Sequence, residues 1–141
     1  MSSEGEGNAG NVIVNARDIV QFDGVSQDGR LSSGALSNVV GDAVGNAGKV
    51  EITTGSLFVT NGAQLDASTE GQGNSGSIII DARDQVVFQG VSADGEFASA
   101  AFSRLEERAV GDGGNIEITA KTLSVTDGAQ LQAQSLGRVI N

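Results

Sequence analysis

The chain contains no cysteine, histidine, proline, tryptophan or tyrosine. Without cysteine there is no disulfide framework and no thiolate chemistry. Without histidine the commonest general base and the commonest metal ligand are missing. Without Trp and Tyr the usual platforms for stacking sugars or bases are gone. With no proline and 21 glycines, turns fall to Gly, Asn and Asp. Positive charge is also scarce: 8 basic against 18 acidic residues give a net charge of −10. Such a surface repels phosphate backbones and anionic membranes, which argues against a nucleic-acid partner. No apolar run approaches membrane-spanning length, so no membrane insertion is expected. Met1 is followed by Ser-Ser-Glu-Gly-Glu-Gly, without the basic then apolar pattern of a signal peptide.

What the chain has in place of these is repetition. The segment GNAGNVIVNARD from Gly7 returns as GNSGSIIIDARD from Gly73, an offset of 66 (73 − 7) that holds without a gap to Arg138. About half of the aligned positions are identical. This reads as a single domain over 1–141, with one repeat unit at 7–72 and a second at 73–138. Chains built from copies of one unit are more often scaffolds or binding surfaces than single catalytic pockets. Ser3 already aligns with Thr69, so the sequence reads as a fragment of a longer array.

A shorter rhythm lies inside the unit. Gly-(Asn/Asp)-x-Gly recurs as Gly7-Asn8-x-Gly10, Gly45-Asn46-x-Gly48, Gly73-Asn74-x-Gly76 and Gly111-Asp112-x-Gly114. The spacings are 38, 28 and 38 residues (45 − 7, 73 − 45, 111 − 73). These residues are the expected structural turns. After each comes an alternating segment: Val12-Ile13-Val14, Val50-Glu51-Ile52, Ile78-Ile79-Ile80 and Ile116-Glu117-Ile118. Period-two alternation predicts a strand with one face buried. A second strand should point Val20 and Phe22, Leu57 and Val59, Val86 and Phe88, and Leu123 and Val125 inward. A third is clear at Ala63-Leu65-Ala67 and Ala129-Leu131-Ala133. In the other two coils the third face should draw on Val25-Ser26 and a piece near Ala35 to Val39, in open register. The ten extra residues of the longer coils should protrude as loops at Gln27–Gly34 and Ala93–Ala100, roughly 10 Å apart along the axis.

These patterns predict an all-β fold: a right-handed parallel β-helix, or β-solenoid, of about four three-strand coils. Frequent glycine and the lack of a 3.6-residue apolar face argue against helix. Asn61-Gly62 and Asp127-Gly128 suit hairpin turns, but like residues recur in constant order, which favours parallel stacking. Right-handedness follows the usual sense of parallel crossovers. Open ends invite another chain, so end-to-end self-association is an expected partnership. Val139 and Ile140 are expected to fold over the last coil as a partial cap.

The motif GNAGNVxVxARDxVxFDG, a DG loop, and GAVGNAGKVxIxTGSLxVTNGAQLxAST resemble the repeats of filamentous-haemagglutinin-like exoproteins. The resemblance covers Glu4 to about Gly137. It implies a right-handed parallel β-helix exported by two-partner secretion, at the surface of or released from a Gram-negative bacterium. It also implies a role in adhesion, aggregation or display, with a glycan or protein receptor on another cell. The family's secretion domain has no counterpart in this sequence, and no catalytic residue of the family has one either.

Candidate chemistry is sparse. Arg17-Asp18 and Arg83-Asp84 could mark a polyuronide-cleaving site, because β-helix lyases use basic residues with carboxylates. The plainer reading is a polar corner, with Asp accepting backbone bonds and Arg covering apolar surface. Asn8, Asn46, Asn74 and Asp112 read as a turn ladder in which stacked amides bond from coil to coil. The nonapeptide of calcium-binding β-rolls is absent. Asp28, Asp94 and Glu96 are weak calcium candidates, well short of the six to eight oxygens the ion takes. Gly111-Asp112-Gly113-Gly114 precedes a strand rather than a helix, which excludes a phosphate loop. Arg104-Leu105-Glu106-Glu107-Arg108 reads as a solvated patch. The expectation is a structural, non-enzymatic segment without cofactor. A polysaccharide-active or polysaccharide-binding β-helix and an end-to-end filament module are the alternatives.

Overall fold

The computed structural model describes residues 2–3, 5–106 and 109–135. The protein is all-β, with no helix among the described residues. A short strand β1 (Ser2–Ser3) is followed by four passes of the chain over the same strand positions. Pass 1 holds β2 (Val12–Asn15), β3 (Ile19–Asp23), β4 (Gly34–Leu36) and β5 (Asn38–Val39). Pass 2 holds β6 (Val50–Thr60) and β7 (Gln64–Asp66), and pass 3 holds β8 (Ile78–Gln89) and β9 (Ala100–Leu105). Pass 4 holds β10 (Ile116–Thr119), β11 (Thr122–Thr126) and β12 (Gln130–Ser135).

Every pairing between strands is parallel. One sheet runs β10–β8–β6–β2, with β11 also on β8 and β3 also on β6; another runs β12–β9–β7–β4; β1 pairs with β5. Val12, Val50, Ile78 and Ile116 stand in one register row, and Val20, Leu57, Val86 and Leu123 in another. Single parallel bridges add a row through Glu6, Val44, Gln72 and Val110. Each Gly-(Asn/Asp)-x-Gly therefore returns to the same place once per pass.

The two larger sheets face each other over one apolar core. Val50, Ile52, Leu57, Val59, Ile78, Ile80, Val86 and Phe88 come from the first, and Leu65 and Ala101 from the second. Fully burying each large side chain contributes about 1.5–3 kcal/mol. In β6 the inward positions are even before Gly55 and odd after it, because the register shifts between Thr54 and Ser56. One fewer residue turns that corner than in the neighbouring passes.

The third strand of pass 1 is β4, with Ala35 opposite Leu65. Val25 and Ser26 are not part of it: Val25 bridges Ser32 antiparallel, and Val91 bridges Ala98 likewise, at the base of two small hairpins. Gly34 and Ala100, expected in the loops, belong to β4 and β9. The ten extra residues are also divided differently. Seven enter between Phe22 and Ala35 (35 − 22 against 65 − 59), one at the Ala16–Asp18 corner and two around Val40–Ala43. Asn61 and Gly62, like Asp127 and Gly128, take positive φ as a tight turn requires, but each turn leads from one sheet to another rather than into a hairpin. Val139 and Ile140, expected as a cap, lie outside the described residues, as do Glu107 and Arg108.

Candidate functional site

The turn ladder is the most regular polar feature. Asn46 N–H donates to Asn8 Oδ1 at 2.9 Å, Asn74 N–H to Asn46 Oδ1 at 2.8 Å, and Asp112 N–H to Asn74 Oδ1 at 2.8 Å. The expected amide-to-amide bonds are thus replaced by side-chain oxygens accepting from the backbone of the next pass. The flanking glycines have a separate cause. A β-carbon on Gly73 would lie 1.9 Å from Gly45 O, and one on Gly76 1.9 Å from Gly48 O. Backbone lies directly on backbone here, with no room for a side chain. Beside this ladder runs a shallow groove of about 370 Å³, lined by Val44, Gln72 and Val110 together with residues of the ladder itself. Among the described residues, its one ionisable lining residue is Asp112.

The Arg-Asp corners are brought together across two passes. A cleft of about 190 Å³ is lined by Ala16, Arg17, Thr53, Thr54, Asp81 and Arg83. Arg83 spends its guanidinium on the backbone carbonyl of Arg17. Asp84 pairs with Lys121 at 3.7 Å between two exposed side chains. Cleavage of a polyuronide needs a base within hydrogen-bond reach of the abstracted proton. Among the described residues, the one carboxylate lining this cleft is Asp81.

The two hairpins are near copies. Ser26 and Ser92 hydroxyls donate to Asp28 and Asp94, and the Arg30 and Glu96 backbone N–H groups donate to the same carboxylate oxygens at 3.2 and 3.1 Å. These bonds, the serine first, hold both carboxyls below their ordinary value. The tips are closer than the sequence suggests: a β-carbon on Gly29 would lie 3.0 Å from Asp94 Oδ2. No group of three or more acidic residues placed to hold a metal ion, Asp28, Asp94 and Glu96 included, occurs among the described residues. Asp23 is likewise lowered, by the Thr60 hydroxyl and then the Asn61 amide.

Sequence reasoning missed the buried polar residues. Ser37, wholly buried, donates to Gly10 O at 2.6 Å and accepts from Gly48 N–H at 2.9 Å. Ser103 donates to Gly76 O at 2.6 Å in the second unit. Asp66 is buried, with Ser68 donating to Oδ1 and Asn38 Nδ2 to Oδ2 at 3.3 Å. Burial raises its carboxyl above the ordinary value, against the lowering effect of those bonds and of Arg104. Arg104 stacks 4.2 Å over the Phe102 ring, and its Nε lies 3.3 Å from Glu106 Oε1 but misaligned for a hydrogen bond. The stretch expected as a solvated patch therefore includes a fully buried residue, Leu105. The alternation of the second unit could have revealed Leu105, since it aligns with Val39.

No protein-family model, no curated protein and no solved structure matches the chain.

Proposed function

We propose that the chain winds as a right-handed parallel β-helix and serves as a structural display segment of an exported, adhesin-like surface protein. The observation that carries this reading is the register: each pass adds a parallel strand to the same sheets, 38, 28 and 38 residues after the last. Such stacking makes a stiff body whose hairpins repeat on one side, which suits presenting loops to a receptor. Exposed loops on a rigid scaffold are also where recognition residues concentrate. The groove and the hairpins offer neutral amides, valines and acidic tips, a surface for a glycan or a protein rather than for a polyanion.

Four experiments test this. Antibodies raised against the chain should label intact source cells; labelling only after lysis would overturn the exported role. The purified chain, and a variant with residues 27–31 replaced by a Gly-Ser turn, should be compared on a glycan array and on host-cell monolayers. Binding that is lost in the variant assigns display to the hairpins. A crystal structure reads the handedness directly. The Arg17–Asp81–Arg83 cleft keeps a polysaccharide-active reading in play, checked by incubating the chain with polyuronides and looking for unsaturated products. None are expected.

A further inference from the structure

We infer that the Asn61–Gly62 turn is a latent deamidation site, kept unreactive by bonds that draw its two reacting groups towards opposite neighbouring passes, so that conversion marks molecules whose turn has opened. Asn61–Gly62 is the one Asn-Gly step in the sequence. A glycine in second place leaves the backbone nitrogen unhindered by a side chain. The reaction consumes only water. Gly62 N loses its proton and attacks Asn61 Cγ. The new C–N bond closes a five-membered imide, and the Cγ–Nδ2 bond breaks as ammonia leaves. Water then opens the imide at either carbonyl, which gives aspartate or isoaspartate at position 61.

The folded chain holds these groups apart. Asn61 Nδ2 donates to Asp23 Oδ1 of pass 1 at 2.8 Å, whereas Gly62 N–H donates to Ser99 Oγ of pass 3 at 2.9 Å. The wholly buried Ser99 donates in turn to Gln89 O at 2.8 Å, and Asn61 N–H donates to that same carbonyl at 3.1 Å. Attack therefore requires the nitrogen to give up a buried hydrogen bond and the amide to turn from a carboxylate. Asn61 is exposed, so water reaches it, but Gly62 is buried. A β-carbon on Gly62 would lie 2.8 Å from Ser92 Cβ and 3.0 Å from Phe97 O, so the pass-3 hairpin closes over the nitrogen.

The second unit carries the same turn with its parts exchanged. Asp127, also at positive φ, accepts from Gln89 Nε2 at 3.0 Å. By the 66-residue offset Gln89 stands for Asp23, and Asp127 for Asn61. Each unit thus pairs one carboxylate with one amide. Deamidation at Asn61 creates the combination neither unit has, two facing carboxylates, and the isoaspartate form also lengthens the turn backbone by a methylene. The change is one-way, so a turn that has opened and reacted closes less firmly. The site depends only on the stacking of passes 1 to 3, whatever surface the chain displays.

The intact chain is held at mildly alkaline pH, in native buffer and in urea, and conversion at Asn61 is followed by peptide mass spectrometry with fragment ions that place the change. Conversion should be about tenfold or more slower in the folded chain, because reaction is confined to the opened population. Ser99→Ala and Asp23→Ala each free one reacting group and should raise the folded-state rate several-fold. Ile52→Val, a core change away from the turn, gives the rise due to lost stability alone, and both turn variants should exceed it. If Ser99→Ala does not keep the wild-type far-UV spectrum, Asp23→Ala decides, since Asp23 is exposed. Asn61→Asp should lower the urea midpoint, and adding Asp23→Asn should restore it by recreating the order of the second unit. Equal conversion in native buffer and urea, no conversion in urea, or turn variants no faster than Ile52→Val would overturn the inference. A midpoint unmoved by Asn61→Asp would overturn the weakening of the reacted turn.

Discussion

The guanidinium of Arg83 donates to the backbone carbonyl of Arg17, the same corner of the repeat 66 residues earlier. The two residues lie in passes 1 and 3, with pass 2 between them. Gly55 opens the way. A β-carbon there would lie 2.6 Å from Asp18 O and 3.0 Å from Arg83 Nη2. Pass 4 carries Lys121 at the position of Gly55, and that lysine pairs with Asp84 instead. The corner is thus a three-pass clasp whose middle member must be small.

Gly55→Ala should cost about 1–3 kcal/mol, since the added carbon meets backbone rather than a movable side-chain end. Arg83→Met, which keeps the apolar stem, should cost about 1 kcal/mol or less at this exposed site. On the Gly55→Ala background its effect should shrink towards zero, because the clasp is already open. Urea unfolding of the two single variants and the double variant measures the coupling.

Glycines pressed against the backbone of a neighbouring pass should differ from glycines that face open space. Gly73→Ala sets a carbon 1.9 Å from Gly45 O, and should cost about 3 kcal/mol or more or prevent folding. Gly5→Ala meets nothing within 4 Å and should stay within about 0.5 kcal/mol of wild type. Thermal unfolding followed by circular dichroism separates them.

Leu57 and Leu123 hold the same repeat position with different surroundings. Leu57 is fully buried and Leu123 is 48% exposed. Leu57→Ala should therefore cost about 2–5 kcal/mol through lost transfer and a cavity. Leu123→Ala should cost about 1 kcal/mol or less. Equal costs in denaturant titrations would contradict the stacking order.

Stability should fall as pH rises through the raised value of Asp66. The folded state binds this proton more tightly than the unfolded chain, so the burial cost is absent below the ordinary value of 3.8 and complete above the folded value. Asp23, Asp28 and Asp94 act in the opposite sense: their contributions are present above 3.8 and are lost as pH falls through their lowered values. The optimum should lie near mildly acidic pH. Asp66→Asn should flatten the decline on the alkaline side, read from urea midpoints at a series of pH values.

Much of this architecture was legible in the sequence. The 66-residue repeat, the 38 and 28 spacings, and the alternation in Val50-Glu51-Ile52 and its copies determined an all-β, parallel arrangement. Strand faces follow from period-two chemistry, and the turns follow from the few residues able to make them. Only the tertiary structure decided the rest. Whether a leucine such as Leu57 or Leu123 is dry depends on the pass that covers it, which no local pattern contains. The register of β4, the division of the ten extra residues and the Arg83–Arg17 clasp all depend on which backbone lies over which. Asp66 looks like any polar strand residue in sequence. Its burial, and with it the pH dependence, comes from Ser68, Asn38 and Arg104 meeting around it in space.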